Sequence, residues 1–331
     1  MLLFDDIAAE YRDFAAYAEG DSPTFAAWST AVADDDEVLA WLGELPAIKH
    51  QPNLVFAAAR FHGVPAPGPY EGLRAALLGT EGERIRDTIL THATQTNEVG
   101  RLATLLPVFA SIDGPLALLE VGASAGLCLY PDRWAYDWRT DTGHVTLGNG
   151  PALECRVKGA APIPQQLPEV AWRGGIDLNP LDVASTDDMA WLETLVWPEH
   201  EDRRDRLRHA IDVARTDPPV IRRGNLLDEL PGMVEEAAQH GTVVVFHSAV
   251  IAYLEPEDRI RFEDLMRALL AEGRCHWVSN EGKRVIPSIT ATGPAIPEDK
   301  QTFVLGLDAR AVAHTHGHGR SMRWVGASAQ A

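Results

Sequence analysis

The run Leu116-Ala117-Leu118-Leu119-Glu120-Val121, followed by Gly122-Ala123-Ser124-Ala125-Gly126, constrains this chain more than any other stretch. A short apolar run reads as a buried strand, and a turn of glycine, alanine and serine lets backbone or ligand come close. Leu127 to Trp138 then reads as a helix, shortened or kinked at Pro131. A strand feeding a small-residue turn that opens a helix is where α/β proteins hold ligands. Glycines clear the approach, and free N–H groups at the helix start point at the bound group.

Three readings compete for these residues. Gly122-Ala123-Ser124-Ala125-Gly126 fits the nucleophile elbow of α/β-hydrolases, with Ser124 attacking an acyl group. Glu120-Val121-Gly122-x-x-x-Gly126 also resembles the first motif of class I S-adenosylmethionine methyltransferases, an acid at the strand end followed by spaced glycines. The third reading is a tight turn with no ligand. Such a motif counts only in its structural surroundings.

Upstream, residues 1–112 read as helical. Ile7, Tyr11, Phe14 and Ala18 mark one helix face. Ser22-Pro23 reads as a cap with a first-turn proline, and the turn-rich Pro65-Ala66-Pro67-Gly68-Pro69 closes a later helix. The last helix of the region runs from Glu83 to Leu106 and stops or kinks at Pro107. It carries Gln95-Thr96-Asn97-Glu98-Val99-Gly100-Arg101, with Asn97 and Arg101 on one face and Glu98 adjoining. That block is either a solvated face or a polar wall of the cofactor cleft. Gly100 inside a helix implies close packing against something.

Downstream, His144–Leu147 and Leu153–Val157 alternate and suggest an antiparallel hairpin inserted near residues 140–160. Val170 to Asp177 reads as a second parallel strand ending in an acid. A single carboxylate there can accept from two ribose hydroxyls; Asp137 is the alternative, although it follows the turn too soon. A third strand ends before Asn225 and Leu226, placed to meet an adenine, or Asn225 caps the next helix instead. Thr242 to Ile251 is the clearest buried strand. It carries His247 and Ser248 near its C-terminal end, His247 being a general base or a core histidine. Cys275–Ser279 is a fifth strand, and 303–325 forms a closing hairpin. His314, His316 and His318 would share one strand face, but no further ligand converges on them and no metal is expected.

The formal charge of −19, from 29 basic and 48 acidic residues, argues against nucleic acid as a partner and favours a small-molecule substrate. Cys128, Cys155 and Cys275 form no C-x-x-C pair and read as reduced thiols. Met1–Glu10 lacks signal-peptide character, and no apolar run is long enough to cross a membrane. Cytoplasmic location with no membrane association is the expectation.

A hydrolase elbow follows several strands, whereas everything upstream of this turn is helical, which argues against Ser124 as nucleophile. The Gln95–Arg101 block, Leu119–Leu127, Gly175-Ile176-Asp177-Leu178-Asn179-Pro180-Leu181-Asp182 and His247-Ser248-Ala249-Val250 together resemble the bacterial domain-of-unknown-function family 2332, over nearly the whole chain. Cys128 departs from the polar residue expected after the turn. Strand–helix alternation from Leu116 to Val278, followed by the closing hairpin, suits a Rossmann-like, seven-stranded methyltransferase-type sheet over 113–331 with a helical extension at 1–112, and the resemblance implies a fold similar to class I methyltransferases. The expected function is transfer of a methyl group from S-adenosylmethionine to a small molecule. Glu120, Gly122, Ala123, Ser124 and Gly126 would seat the cofactor's methionine end, Asp177 its ribose, and Asn225 or Leu226 its adenine. His247 would act as base, with Asn97, Glu98 and Arg101 holding the acceptor. The alternatives are a serine hydrolase using Ser124 and a non-catalytic ligand-binding protein.

Overall fold

The computed structural model describes residues 6–95 and 97–326. Thr96, inside the Gln95–Arg101 block, and Met1 to Asp5, part of the segment read for a signal peptide, lie outside them. The described chain divides into two compact units. One contains the residues up to 95 together with Ala184–His209; the other contains Asn97–Val183 and the chain from Ala210 onward.

The first unit is helical. Ser22 caps Pro23–Ala33 by accepting from the Phe25 N–H, with proline at the first helical position. Phe14, Phe25, Trp28, Phe56 and Trp197 form its aromatic core. The 184–209 segment is tied in by Arg60, whose Nη1 donates to the carbonyls of Thr194 and Val196 at 2.7 Å each. Trp197 adds an indole N–H to Asn53 Oδ1 at 2.9 Å.

The continuous helix expected from Glu83 to Leu106 is broken. Gly82–Thr91 ends at His92, a 3₁₀ turn covers Val99–Arg101, and Leu102–Phe109 follows. Glu98 restarts the chain by accepting the Gly100 N–H on its own carboxylate, a competition with the helix ladder that favours caps over helix interiors. Pro107 lies inside Leu102–Phe109. Its missing N–H leaves the Ala103 carbonyl open, and the Trp138 indole donates to that carbonyl at 2.8 Å.

The second unit holds one sheet of eleven described strands. In chain order they are β1 (Leu116–Val121), β2 (Ala135–Thr140), β3 (Gly143–Leu147), β4 (Ala152–Lys158), β5 (Val170–Asp177), β6 (Val220–Arg223), β7 (Thr242–Ser248), β8 (His276–Gly282), β9 (Phe303–Leu307), β10 (Arg310–Thr315) and β11 (Ser321–Trp324). Across the sheet the order is β3-β2-β4-β11-β10-β9-β8-β7-β1-β5-β6. The sheet is therefore mostly parallel, but not the seven-stranded one expected. Five strands, β6, β5, β1, β7 and β8, run parallel. From β1 the chain winds outward to β5 and β6, then returns to the other side for β7 and β8. The winding direction reverses between β1 and β7.

Three further expectations change. Leu127–Trp138 is not a helix: it makes 3₁₀ turns at Leu127–Leu129 and Pro131–Arg133 and then becomes β2. Arg173 of β5 accounts for this. Its guanidinium donates to the Leu129 carbonyl at 2.6 Å and Asp132 Oδ2 at 2.8 Å, and lies 4.7 Å over the Tyr130 ring. These contacts turn the segment toward β5, and Pro131 supplies no N–H to continue a helix ladder. The inserted hairpin is also paired differently: β3 lies antiparallel to β2, and β4 lies parallel to β2, extending the same sheet. The closing segment is three strands rather than two, with the β9–β10 turn at Asp308-Ala309, φ 48° and 62°.

Strand alternation assigns the two faces. Ala117, Leu119, Val121, Val243, Val245 and Trp277 pack under the helices Leu226–Ala237 and Pro256–Ala271. On the opposite face Phe246 meets Phe109 of Leu102–Phe109 at 5.2 Å. No described helix is long and apolar enough to cross a membrane.

Candidate functional site

Glu120 stands on the Phe246 face, one residue before the end of β1. The residue is 8% exposed, and Oε2 is buried without a hydrogen-bond partner among the described residues. Burial pushes its pKa well above the usual 4.5; Arg101 opposes the shift and Asp177 adds to it. The same pocket raises the Cys128 thiol, chiefly by burial and then by Glu120.

The turn after β1 is tightly fitted to protein. Gly122, Ser124 and Gly126 have φ of 69°, 51° and 69°. A Cβ on Gly122 would meet Val250 Cγ1 at 2.5 Å, and one on Gly126 would meet Pro219 Cγ at 2.8 Å. Its amides are engaged as well. Gly122 and Ala123 donate to the Ile176 carbonyl, Gly126 to that of Ala123, and Ser124 to Asp177 Oδ2 at 2.8 Å. The expected row of free N–H groups at a helix start is therefore absent from these four residues, because the turn leads into 3₁₀ structure and closes on β5.

Asp177, at the tip of β5, accepts the Ser124 N–H on Oδ2 and the Asn179 N–H on Oδ1 at 2.7 Å. Asp137 lies on β2, across β4, β11, β10, β9, β8 and β7 from β1, and is removed from contention. Asn225 caps Leu226–Ala237, accepting from the Leu227 N–H at 2.9 Å. Leu226 packs against the core.

The polar block closes on the same tip. Asn97 Nδ2 donates to Ser124 Oγ at 2.9 Å. Among the described residues the Ser124 hydroxyl meets that amide rather than an imidazole. Arg101, 6% exposed, donates from Nε to the Gly317 carbonyl and from Nη1 to the Ser248 carbonyl, both at 2.8 Å. Glu98 is buried, with Oε2 lying 3.2 Å from His318 Nδ1. Gly100 is needed where the β10–β11 turn crosses it, since a Cβ would meet the His318 carbonyl at 2.8 Å.

His247 is elsewhere. Alternation places it on the Val243–Val245 face, 0% exposed. Its Nδ1 lies 2.7 Å from Glu281 Oε1, and its Nε2 accepts the Trp277 indole N–H at 3.0 Å. With both nitrogens engaged in the core, it cannot reach a substrate as a base. Its neighbour Ser248 faces the site instead. Thr315 Oγ1 donates to Asn280 Oδ1 at 2.7 Å, and Asn280 Nδ2 donates to Ser248 Oγ at 2.8 Å. The serine oxygen thus accepts within the protein and keeps its own proton to offer. Of the three late histidines only His314 lies on a strand, and no described cluster of His, Cys, Asp and Glu could hold a metal.

The structure brings together Asn97, Glu98, Arg101, Glu120, Ser124 and Asp177 and turns His247 to the other face of the sheet; Asn225 stays beside the β5 tip, where the Gly224 N–H donates to the Asp177 carbonyl at 3.0 Å, with its side chain engaged as a helix cap. Asn280, Glu281 and Arg173 were not foreseen. All three are polar residues within apolar strands, a pattern that signals either a core network or a site. The assembled tip is acidic and suits a ligand that carries positive charge and hydroxyl donors.

A family model described as an uncharacterised protein conserved in bacteria, DUF2332, matches residues 62–324. No curated protein and no solved structure matches the chain.

Proposed function

For a chain that belongs to the DUF2332 family, we propose binding of S-adenosylmethionine at the tips of β1 and β5 and transfer of its methyl group to a small molecule. One observation carries the reading. Glu120 buries a carboxylate oxygen with no partner beside the point where the sheet's winding reverses, which is where open α/β sheets take ligands. A buried anion is stabilised by a cation. S-adenosylmethionine carries an ammonium and a sulfonium, and supplies the electrophilic methyl group.

Asp177 fits the same ligand. After accepting one N–H on each oxygen, its carboxylate keeps lone pairs for two ribose hydroxyls. The order β6-β5-β1-β7-β8 with an antiparallel strand beyond β8 suits a Rossmann-like methyltransferase sheet. In this reading the glycine turn contributes shape rather than amides, and Glu120 and Asp177 do the recognising. Methyl transfer requires in-line approach of the acceptor, so rigid positioning contributes much of the rate. Arg101 fixes the tip of β7, and the Ser248 hydroxyl proton is available to orient an acceptor oxygen or nitrogen. His247 has no part in proton transfer.

Calorimetric titration with S-adenosylhomocysteine tests the reading. Binding weakened on the order of tenfold in Glu120→Gln, a loss of about 1.4 kcal/mol, supports it, and no heat at millimolar ligand overturns it. Transfer of labelled methyl from S-adenosylmethionine to extracted metabolites separates an enzyme from a binding protein.

A further inference from the structure

We propose that Glu281 is a positioning residue for this site: its carboxylate, aimed from the core by His247 and Trp277, fixes the tip of β7 against the glycine turn. The consequence for ligand binding rests on the methyl-transfer reading; the positioning itself does not. Three hydrogen bonds converge on Glu281 Oε1, from His247 Nδ1 at 2.7 Å, the Val250 N–H at 3.0 Å and the Ile251 N–H at 3.1 Å. The indole of Trp277 can only donate, so His247 Nε2 is the acceptor and the imidazole proton sits on Nδ1, directed at Glu281. The carboxylate is thereby held from one side by the core and holds two main-chain amides on the other.

Those amides belong to the segment that touches the turn. Both methyl groups of Val250 lie 2.5–2.6 Å from where a Cβ on Gly122 would stand. Ala249, just before it, adopts φ 59° and donates its N–H to the Asn280 carbonyl at 3.1 Å. An alanine persists in that region only where its surroundings over-determine it. Glu281 Oε2, by contrast, is buried without a partner among the described residues. A core carboxylate with an unsatisfied oxygen is a poor way to gain stability, and its placement here matches a role in geometry.

Hydrogen exchange at residues 119–127 and 248–252, with calorimetric titration of S-adenosylhomocysteine, tests the proposal in the full chain. Glu281→Ala is expected to speed exchange in both segments and to weaken binding about tenfold, as when a preorganised cradle must be ordered on binding. Glu281→Gln keeps an acceptor oxygen and is expected to restore both. Phe262→Leu is the stability control, because Phe262 packs edge-on against His247 at 5.3 Å without joining the hydrogen bonds. It should lower Tm and leave the 119–127 exchange unchanged. If Glu281→Ala does not fold, Val250→Ala trims the contact with Gly122, at the margin of the core, and should speed exchange at 119–127. Glu281→Ala, or Val250→Ala in its place, behaving like Phe262→Leu at 119–127 overturns the proposal. Wild-type protein that shows the exchange pattern but binds no S-adenosylhomocysteine overturns the methyl-transfer reading and leaves the positioning role standing.

Discussion

The main-chain N–H of Ser124 donates to Oδ2 of Asp177 at 2.8 Å, tying the turn after β1 to the tip of β5 through one carboxylate. The other oxygen of that carboxylate holds the Asn179 N–H, so Asp177 organises both loops before any ligand arrives. Asp177→Ala is expected to lower stability by about 1–3 kcal/mol, the range for leaving a partly buried donor unsatisfied. Asp177→Asn keeps one acceptor oxygen and should lose less. Urea denaturation of the two variants ranks them; equal losses would show that the carboxylate does not hold the turn.

Glu120 predicts a pH dependence of stability. Burial raises its folded-state pKa above the ordinary value of 4.5, so the folded protein binds this proton more tightly than the unfolded chain. The stabilisation is complete below the unfolded value and is lost as pH rises through the folded one. Glu120→Gln, neutral at every pH, should match wild type near pH 4 and melt higher than wild type as pH rises to about 8. Thermal melts across that range check it, and a gap that stays constant with pH would refute the assignment.

Much of this tip was legible in the sequence, and what was not has identifiable causes. Glu120, the glycine turn and Asp177 stood out because an acid or a glycine ending an apolar run has few structural uses. His247 was ambiguous because both faces of β7 are buried. With Val243, Val244, Val245 and Phe246 all apolar, nothing showed that the odd positions face the helices and the even ones the site. Leu127–Trp138 read as helical because its aromatics are densely spaced. The alternation of Tyr136 and Trp138, both buried on β2, is the strand signal within it. What stops a helix there is Arg173, 44 residues away from Leu129, and no local pattern carries that information. The hairpin near 140–160 was visible as strands, but not its parallel pairing through β4, which depends on a partner that comes last in the chain.

Gly122 and Val250 should behave as a coupled pair. Gly122→Ala forces an alanine to φ 69° and drives its Cβ to 2.5 Å from Val250 Cγ1. Left-handed backbone costs roughly 1–2 kcal/mol and overpacking about 1–3 kcal/mol. Val250→Ala in the same chain should relieve the second cost and leave the first. A double-mutant cycle by urea denaturation is therefore expected to give a coupling of about 1–2 kcal/mol. Additive losses would mean that the two side chains do not meet.

Arg173 is the residue whose loss should change local structure as well as stability. It is 7% exposed and serves the Leu129 carbonyl, Asp132 Oδ2 and, at 3.3 Å, Asp217 Oδ2. The Asp217 contact counts for little, because that carboxylate is well exposed and solvent screens it. The Asp132 pair is different: its side chain is mostly buried, and Oδ1 already lacks a partner. Removing the guanidinium leaves that carboxylate with only the exposed Arg133, whose Nε lies 3.3 Å from Oδ2, a change expected to cost about 1–3 kcal/mol. Arg173→Lys keeps the charge but cannot reach a carbonyl and a carboxylate in one plane, so it should recover only part of the loss. Partly buried pairs are weakly screened, and the difference between wild type and Arg173→Met should therefore persist in molar salt. Thermal melts of the three proteins with and without salt decide the matter, and a Lys variant as stable as wild type would show that charge alone, not the fork of the guanidinium, holds the 127–133 segment out of a helix.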